Sequence, residues 1–387
     1  MLEQLSKIQP ELIEIRRHFH MNPELSFQEE KTPAYIADYL EKLGGVEVRR
    51  NVGGRGVVAS IKGKGSGKTV ALRADFDALE LQDEKDVPYK SKTPGVMHAC
   101  GHDSHAAALL GVANILSKNK DSFSGEVRFL FQHAEELAPG GALSMIKDGC
   151  LDGVDAVFGI HVTTRMPVGK YGYRSGYMMA SADKFTINIF GKGGHGASPH
   201  ETVDSIVVGS NVVMNLQQIV SRRTIPTAAA VVSIGRFESG SAFNVISDSA
   251  MLGGTVRTYD KNVRKNIIEN MERIVKGCCE AAGATYKLNY EQGYPAVKNH
   301  PNETALVAKT LLTFSNNEDV IELEPIMGGE DFAYYLEKVP GAFFYTGGGN
   351  ADNSKNYPHH HPKFDIDEGA ILYASKGLLS VAIEYLK

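Results

Sequence analysis

The chain has 387 residues, 42% hydrophobic and 22% charged, with 41 Lys and Arg against 46 Asp and Glu for a net charge of −5. That is an ordinary globular composition in a chain too long for one core, so two domains are expected. No long run of one charge sign is present and no stretch of 18 apolar residues occurs, which argues against a nucleic-acid binder and against a membrane-spanning helix.

The first residues, MLEQLSKIQPELIEIRRHF, mix acids and bases on an amphipathic pattern and build no apolar signal segment, so a cytoplasmic location is expected. Leu5, Ile8, Leu12, Ile15 and Phe19 define one face of a helix, and a second helical pattern covers residues 32–43. Strand-like runs follow at 57–61 and 69–73, the second running on to Asp75 and Asp77. "HACGHDSHAA" then gathers three histidines, a cysteine and an aspartate into residues 98–107 and leads into a helix, with Asp103 read as its N-cap. "GEVRFLFQHA" is a strand that runs into Glu135 and Glu136, a helix begins near Pro139, and "VDAVFGIHV" is a strand that closes on His161 and Val162. This alternation predicts an α/β domain with a mostly parallel central sheet.

From about Lys184 the pattern changes to a half-buried strand, a helix at 203–221, two strands, a helix at 260–282 and a last strand. That is the βαββαβ order of a small ferredoxin-like domain. The α/β rhythm returns after Tyr294 and ends in a helix at 367–386. The expected organisation is one α/β domain, residues 1–178 and 292–387, interrupted by an inserted domain at 179–291. "KGKGSGK" at 62–68 lacks Walker spacing and a following helix, and is read as a turn.

Ligand sites of parallel α/β sheets lie at the C-terminal strand ends. Cys100, His102, Glu135, Glu136, His161 and, within "YPHHHPKF", His360 all fall at that edge, as do Asp75 and Asp77. Thiolate, imidazole and carboxylate together suit zinc, manganese, cobalt or nickel. The short C-x₂-C pairs of a structural zinc site are absent, and candidates spread from Cys100 to His360 suit a catalytic centre assembled by the fold. Neighbours on a regular strand face opposite ways, so one of the two glutamates can bind metal while the other handles the proton of an attacking water. The competing reading is a Cys100 nucleophile with a histidine base at a helix N-terminus. It leaves the two glutamates and the later histidines without work. Cys150, Cys278 and Cys279 read as small hydrophobes. Asp103 is expected to cap the helix or support a ligand, His105 to lie on the helix surface or support a ligand, and His98 to have no role.

"RRHFHMNPELSFQE", "ALRADFDALE", "MHACGHDSHAAALLG", "FLFQHAEE", "GIHV", "GKGGHGASPH" and "HHPKFDID" occur in order over almost the whole chain. Together they resemble the amidohydrolase branch of the aminoacylase and glutamate-carboxypeptidase family of dinuclear metallohydrolases. The resemblance implies a zinc-peptidase-like catalytic domain, a lid domain that often mediates dimerisation, and two divalent metal ions per subunit, Zn or Mn first and Co or Ni as alternatives. It makes Cys100 the thiolate shared by both metals, His102 and His161 ligands of one, and Glu136 and His360 ligands of the other. The family pattern His-x-Pro selects His360, because Pro362 follows two positions later. Glu135 is implied as the general base and His195 as the group that holds the developing oxyanion. Asn244 and Arg257 are implied as contacts to the substrate carbonyl and carboxylate, and Gly348 in "TGGGN" as a backbone donor to that carboxylate. The chain departs from the family where Glu80 follows "DAL" and where Ser205 follows Asp204, positions that often carry proline.

The function so implied is hydrolysis of the amide bond of an N-acyl amino acid of the hippurate, N-acetyl-amino-acid or N-acetyldiaminopimelate type. The expected partners are a small-molecule substrate and further copies of the chain, as a homodimer or homotetramer through the lid, with no nucleic acid and no membrane. The alternatives are a dipeptidase or carboxypeptidase acting on unmodified peptides, and a catalytically idle metal-dependent scaffold.

Overall fold

The computed structural model describes residues 1–387, and the chain divides into two units. Met1–Met178, Lys298–Glu324 and Asp331–Lys387 form the first, and Met179–Val297 with Pro325–Glu330 form the second. Residues 292–297 and 325–330, expected in the first unit, fall in the second. The strand Thr285–Tyr294 runs beyond residue 291 alongside Ser181–Phe190, and the Ala180 N–H donates to the Gly328 carbonyl.

In the first unit eight strands build one mixed sheet. Its middle is parallel: Glu126–Gln132, Thr69–Asp75, Ala156–Pro167 and Gly341–Gly349 lie side by side in that order. Antiparallel pairing takes over outward, through Gly56–Lys62 and Glu47–Val52 on one side and through Tyr171–Tyr173 on the other, which in turn carries Val320–Glu322. The middle strands are almost wholly buried, as strands covered on both faces must be.

Period-two alternation divides their side chains. Val70, Leu72 and Ala74 join Val127, Phe129, Phe131, Phe158 and Phe344 in the large apolar core, while Ala71, Arg73 and Asp75 alternate to the other face. The helices Leu2–Met21, His102–Lys118 and Gly369–Leu386 pack on one another, and the latter two also pack on the sheet. His102–Lys118 is buried from His102 to Leu116, which is why its sequence is dominated by alanine and leucine rather than by an amphipathic stripe. None of the helices is long and apolar enough to cross a membrane.

The second unit carries a four-stranded antiparallel sheet in the order Ala230–Ser239, Ser249–Thr258, Ser181–Phe190, Thr285–Tyr294. Two helices, Ser205–Gln218 and Lys261–Ala282, contact each other and the sheet. Chain order is βαββαβ, and the spatial order of its strands is that of a ferredoxin-like domain. Asp204 and Asp260 cap the two helices by accepting backbone N–H bonds. Phe185, Ile187, Ile189, Leu252 and Val256 from the strands meet Val208, Val212, Leu216, Ile267, Met271 and Val275 from the helices in a separate core.

Candidate metal centre

The C-terminal ends of the parallel strands deliver the polar residues of the first unit. Cys100 and His102 come from the turn that starts the helix His102–Lys118, with Gly101 between them at φ 94°. A Cβ on Gly101 would stand 2.3 Å from Val162 Cγ1, so both conformation and space require glycine there. Glu135 and Glu136 follow the strand Glu126–Gln132, His161 lies within Ala156–Pro167, and His360 lies in the loop after Gly341–Gly349. Two of the four non-glycine residues with positive φ flank this cluster, Ala134 at 52° and His360 at 64°, which places backbone strain in the two loops that present Glu135–Glu136 and His360.

The ligand atoms of Cys100, His102 and His161 lie within 4.8 Å of one another, and so do those of Cys100, Glu136 and His360. Cys100 therefore belongs to both groups. Its Sγ is 3.5 Å from His161 Nε2, and Glu136 Oε1 is 3.3 Å from His360 Nε2 and 3.8 Å from His102 Nε2. A carboxylate oxygen of Glu135 lies within the same 4.8 Å limit of His102 and Glu136. The two glutamates thus converge on one centre, and not through the alternation of a regular strand. The regular strand ends at Gln132, and the left-handed turn at Ala134 brings both acids to one centre.

The imidazoles are oriented from behind. His161 Nδ1 donates to the Val162 carbonyl at 2.6 Å. His102 Nδ1 lies 3.1 Å from both the carbonyl and Oδ1 of Asp77. Each ring is thereby left with Nε2 toward the cluster, as in histidine ligands fixed by a partner on the other nitrogen. Asp77 Oδ2 also accepts the Glu136 N–H at 2.9 Å, so one carboxylate orients a histidine and a glutamate together.

His102 Nε2 is buried and has no hydrogen-bond partner, and the buried Glu136 Oε1 has only the His360 and His102 rings facing it, which is costly unless a cation takes that place. The electrostatics point the same way. Burial, with Glu136 and Glu135 close by, pushes the Cys100 thiol well up. Against the burial that lowers it, Asp75 and Asp77 raise His102 to about 10. The His102 shift reports the negative charge around it, and the Cys100 shift reports burial first and the neighbouring carboxylates second. A thiol, three imidazoles and a carboxylate are a donor set for transition-type divalent cations.

The structure decides two alternatives left open in the opening motif, against a capping role for Asp103 and against a helix-surface position for His105. Asp103 does not cap its helix. It sits inside the first turn, where its carboxylate takes Arg16 Nε at 2.8 Å and His20 Nδ1 at 2.7 Å. His105 is buried, 2.6 Å from Asp75 Oδ1, and accepts the Val162 N–H on Nε2. His98 is also buried, with neither ring nitrogen partnered.

The sequence reading also missed a buried polar chain. Arg73 reaches Asp75 at 2.5 Å, Asp331 at 2.8 Å and Gln132 at 2.9 Å. Burial raises Asp331 to about 6 despite Arg73. A charged pair at alternate positions of the apolar run "TVALRAD" was the available signal.

The other sequence-derived candidates are distributed as follows. His195 and Asn244 belong to the second unit and lie on one small ribbon, where His195 pairs with Val245 and the Gly196 N–H donates to the Asn244 carbonyl. His195 is exposed and its Nδ1 accepts the Ala197 N–H at 3.0 Å. Arg257 lies on the strand Ser249–Thr258, its guanidinium bonded to Thr255 Oγ1 and the Val256 carbonyl. Gly348 is a buried strand residue, where a Cβ would stand 2.4 Å from Val162 Cγ2. Packing alone accounts for that glycine.

Residues 71–382 match peptidase family M20/M25/M40. YhaA of Bacillus subtilis strain 168, named as an amidohydrolase, is 56% identical over 99% of this chain and 96% of its own. The N-acyl-L-amino acid amidohydrolase of Geobacillus stearothermophilus is 48% identical over 76% and 80%. Thermostable carboxypeptidase 2 of Saccharolobus solfataricus is 44% identical over 98% and 97%. Among solved structures, the Bacillus subtilis YxeP protein, described as a dinuclear metal-binding peptidase of family M20, aligns with a TM-score of 0.85 at 36% identity, covering 98% of this chain and 99% of that one. A donor set in two groups that share Cys100 fits such a dinuclear centre. The chain belongs to peptidase family M20/M25/M40 and is a metal-dependent hydrolase.

Proposed function

We propose that this enzyme hydrolyses the amide bond of small N-acyl amino acids at a centre that takes two Zn or Mn ions, Co or Ni serving as substitutes. The observation that carries the reading is the convergence of Glu135 with the two three-residue groups that meet at Cys100. Cys100 would be shared, His102 and His161 would hold one ion, and Glu136 and His360 the other. When bound, the ions would polarise the scissile carbonyl and lower the pKa of the attacking water.

Glu135 is the group left over from ligation. Its carboxylate takes the proton as the water oxygen bonds to the carbonyl carbon, and returns it to the nitrogen as the C–N bond breaks. The products are a carboxylic acid and a free amino acid. His195 suits the oxyanion role, because its Nδ1 accepts the Ala197 N–H and leaves the ring proton on Nε2 as a donor. Arg257 offers a planar fork for a carboxylate, with Asn244 on the carbonyl and Gly348 as a backbone donor.

The second unit would act as lid and as the contact for a dimer or tetramer. Exposed Ile206, Val207 and Met214 on its first helix and Phe237 on its edge strand support that assignment.

The carboxypeptidase among the relatives favours one alternative, cleavage of unmodified peptides. A panel of hippurate, N-acetyl amino acids, N-acetyldiaminopimelate and free dipeptides, each with Zn, Mn, Co and Ni, separates the two by whether the amino group must be acylated. Glu135→Gln should keep its metal and lose turnover by about 10²- to 10⁴-fold, read by elemental analysis and steady-state kinetics. Wild-type turnover in that variant removes Glu135 from the reaction.

A further inference from the structure

The motif "PELSFQE", residues 23–29, has no part in the chemistry above, yet it touches the Glu135–Glu136 loop directly. Glu29 is 1% exposed, and its Oε1 accepts the Ala134 N–H at 2.8 Å. Its Oε2 is buried without a hydrogen-bond partner. Phe27, itself at φ 64°, sets its ring edge-on to His133 at 5.9 Å. Ser26 Oγ donates at 2.7 Å to Asp77 Oδ2, the same oxygen that accepts the Glu136 N–H.

Ala134 is the residue on which the geometry turns. It is fully buried and has φ 52°, a conformation that L-residues with a Cβ disfavour and that surrounding contacts must hold. Its N–H is a buried donor that needs a partner. Glu29 is that partner. A turn of the ordinary hand at Ala134 would swing the two following side chains away from their present convergence.

We propose that Glu29 is a positioning residue for the reaction: its carboxyl oxygen holds the Ala134 N–H, and through it the left-handed turn that presents Glu135 and Glu136 to one centre. This inference rests on the reading of Glu135 as the proton carrier. Burial, with Asp77 nearby, raises Glu29 to about 8, so at neutral pH the group is a neutral acid and acts as an acceptor, not as a charge. An amide should therefore replace it.

The test compares wild type, Glu29→Gln, Glu29→Met, the double variant Glu29→Met/Ala134→Gly, and Glu135→Gln as reference. Metal content, kcat and KM are measured on the N-acyl amino acid that wild type turns over fastest, and the structure of Glu29→Met is solved. Glu29→Gln is expected to stay within about threefold of wild type, and Glu29→Met to lose kcat by at least about tenfold with KM and metal content little changed. Ala134→Gly should restore much of that loss, since glycine adopts the left-handed turn without a steric cost. In the Glu29→Met structure Ala134 should leave the positive-φ region.

The inference is overturned by Glu29→Met with kcat within about twofold of wild type, by equal losses in the Gln and Met variants, or by an unmoved Ala134. Should Glu29→Met fail to fold, the structure of Glu29→Gln decides: an amide oxygen on the Ala134 N–H with retained kcat supports it, and lost kcat with Ala134 in place overturns it. A fully active Glu135→Gln instead removes the base assignment, a result independent of every Glu29 variant.

Discussion

Cys100 is the residue on which the metal reading depends, because it alone belongs to both ligand groups. Its thiol is pushed up by burial and by Glu136 and Glu135, a poor setting for a free nucleophile, which needs a lowered pKa. The same surroundings favour a thiolate once cations are bound. Glu29 provides a residue-scale prediction of a different kind. Its folded pKa is raised from 4.5 to about 8, so the folded chain holds this proton more tightly than the unfolded chain does. Stability attributable to Glu29 is therefore complete at low pH and declines as pH rises from about 4.5 to about 8. Replacing it by Gln removes the decline. Urea unfolding should show Glu29→Gln gaining on wild type between pH 5 and pH 8, and an unchanged difference over that range contradicts the shift. The ligand candidates were legible because cysteine, histidine and paired glutamates at strand ends are chemically distinctive. Glu29 was not legible as a partner, and Asp77 and His105 were legible only as residues near the site, since the bonds they make exist only through contacts distant in sequence.

At the scale of elements, the first helix does more than pack on its neighbouring helices. Arg16 is fully buried on Leu2–Met21 and reaches Asp103 at 2.8 Å, Asp365 at 2.8 Å and Glu368 at 3.3 Å. His20 adds Asp103 and, through Nε2, Lys85 at 3.0 Å, which itself pairs with Asp83 at 3.1 Å. One helix is thereby tied to the ligand-bearing turn and to the start of the last helix, Gly369–Leu386. Removing Arg16 takes the shared buried cation away from three carboxylates, which keep only His20, Tyr89 and Arg17 as partners. Arg16→Met is predicted to cost about 3–5 kcal/mol, whereas Arg50→Ala, which breaks exposed pairs with Asp38 and Glu41, should cost less than about 1 kcal/mol. Equal losses in urea unfolding would show that the buried cluster contributes nothing special. "RRHFH" showed a helix and its apolar face in the sequence. It could not show that Arg16 points inward, because an arginine on an amphipathic helix ordinarily lies in solvent. The short edge strands Glu47–Val52 and Val320–Glu322 were illegible for a related reason. Their side chains are half-exposed or exposed except for Val52, so no apolar alternation marks them.

Over the whole molecule, the change from α/β rhythm to βαββαβ was readable because each unit buries its own core and so carries its own periodicity. The return boundary was misplaced because the last strand of the second unit, "TYKLNYEQGY", continues past its clear alternation. The family match covers residues 71–382, and the reaction class follows from it. The substrate depends on pocket shape, which no spacing of motifs encodes.

The most direct measurement is hydrolysis by protein stripped of metal and titrated with Zn, Mn, Co or Ni. Turnover of N-acetyl amino acids or hippurate should rise from zero to a plateau near about two equivalents per chain, with free dipeptides cleaved more slowly and Cys100→Ala binding little metal. Undiminished turnover without metal, or a preference for unmodified dipeptides, contradicts the proposed N-acyl amino acid hydrolase.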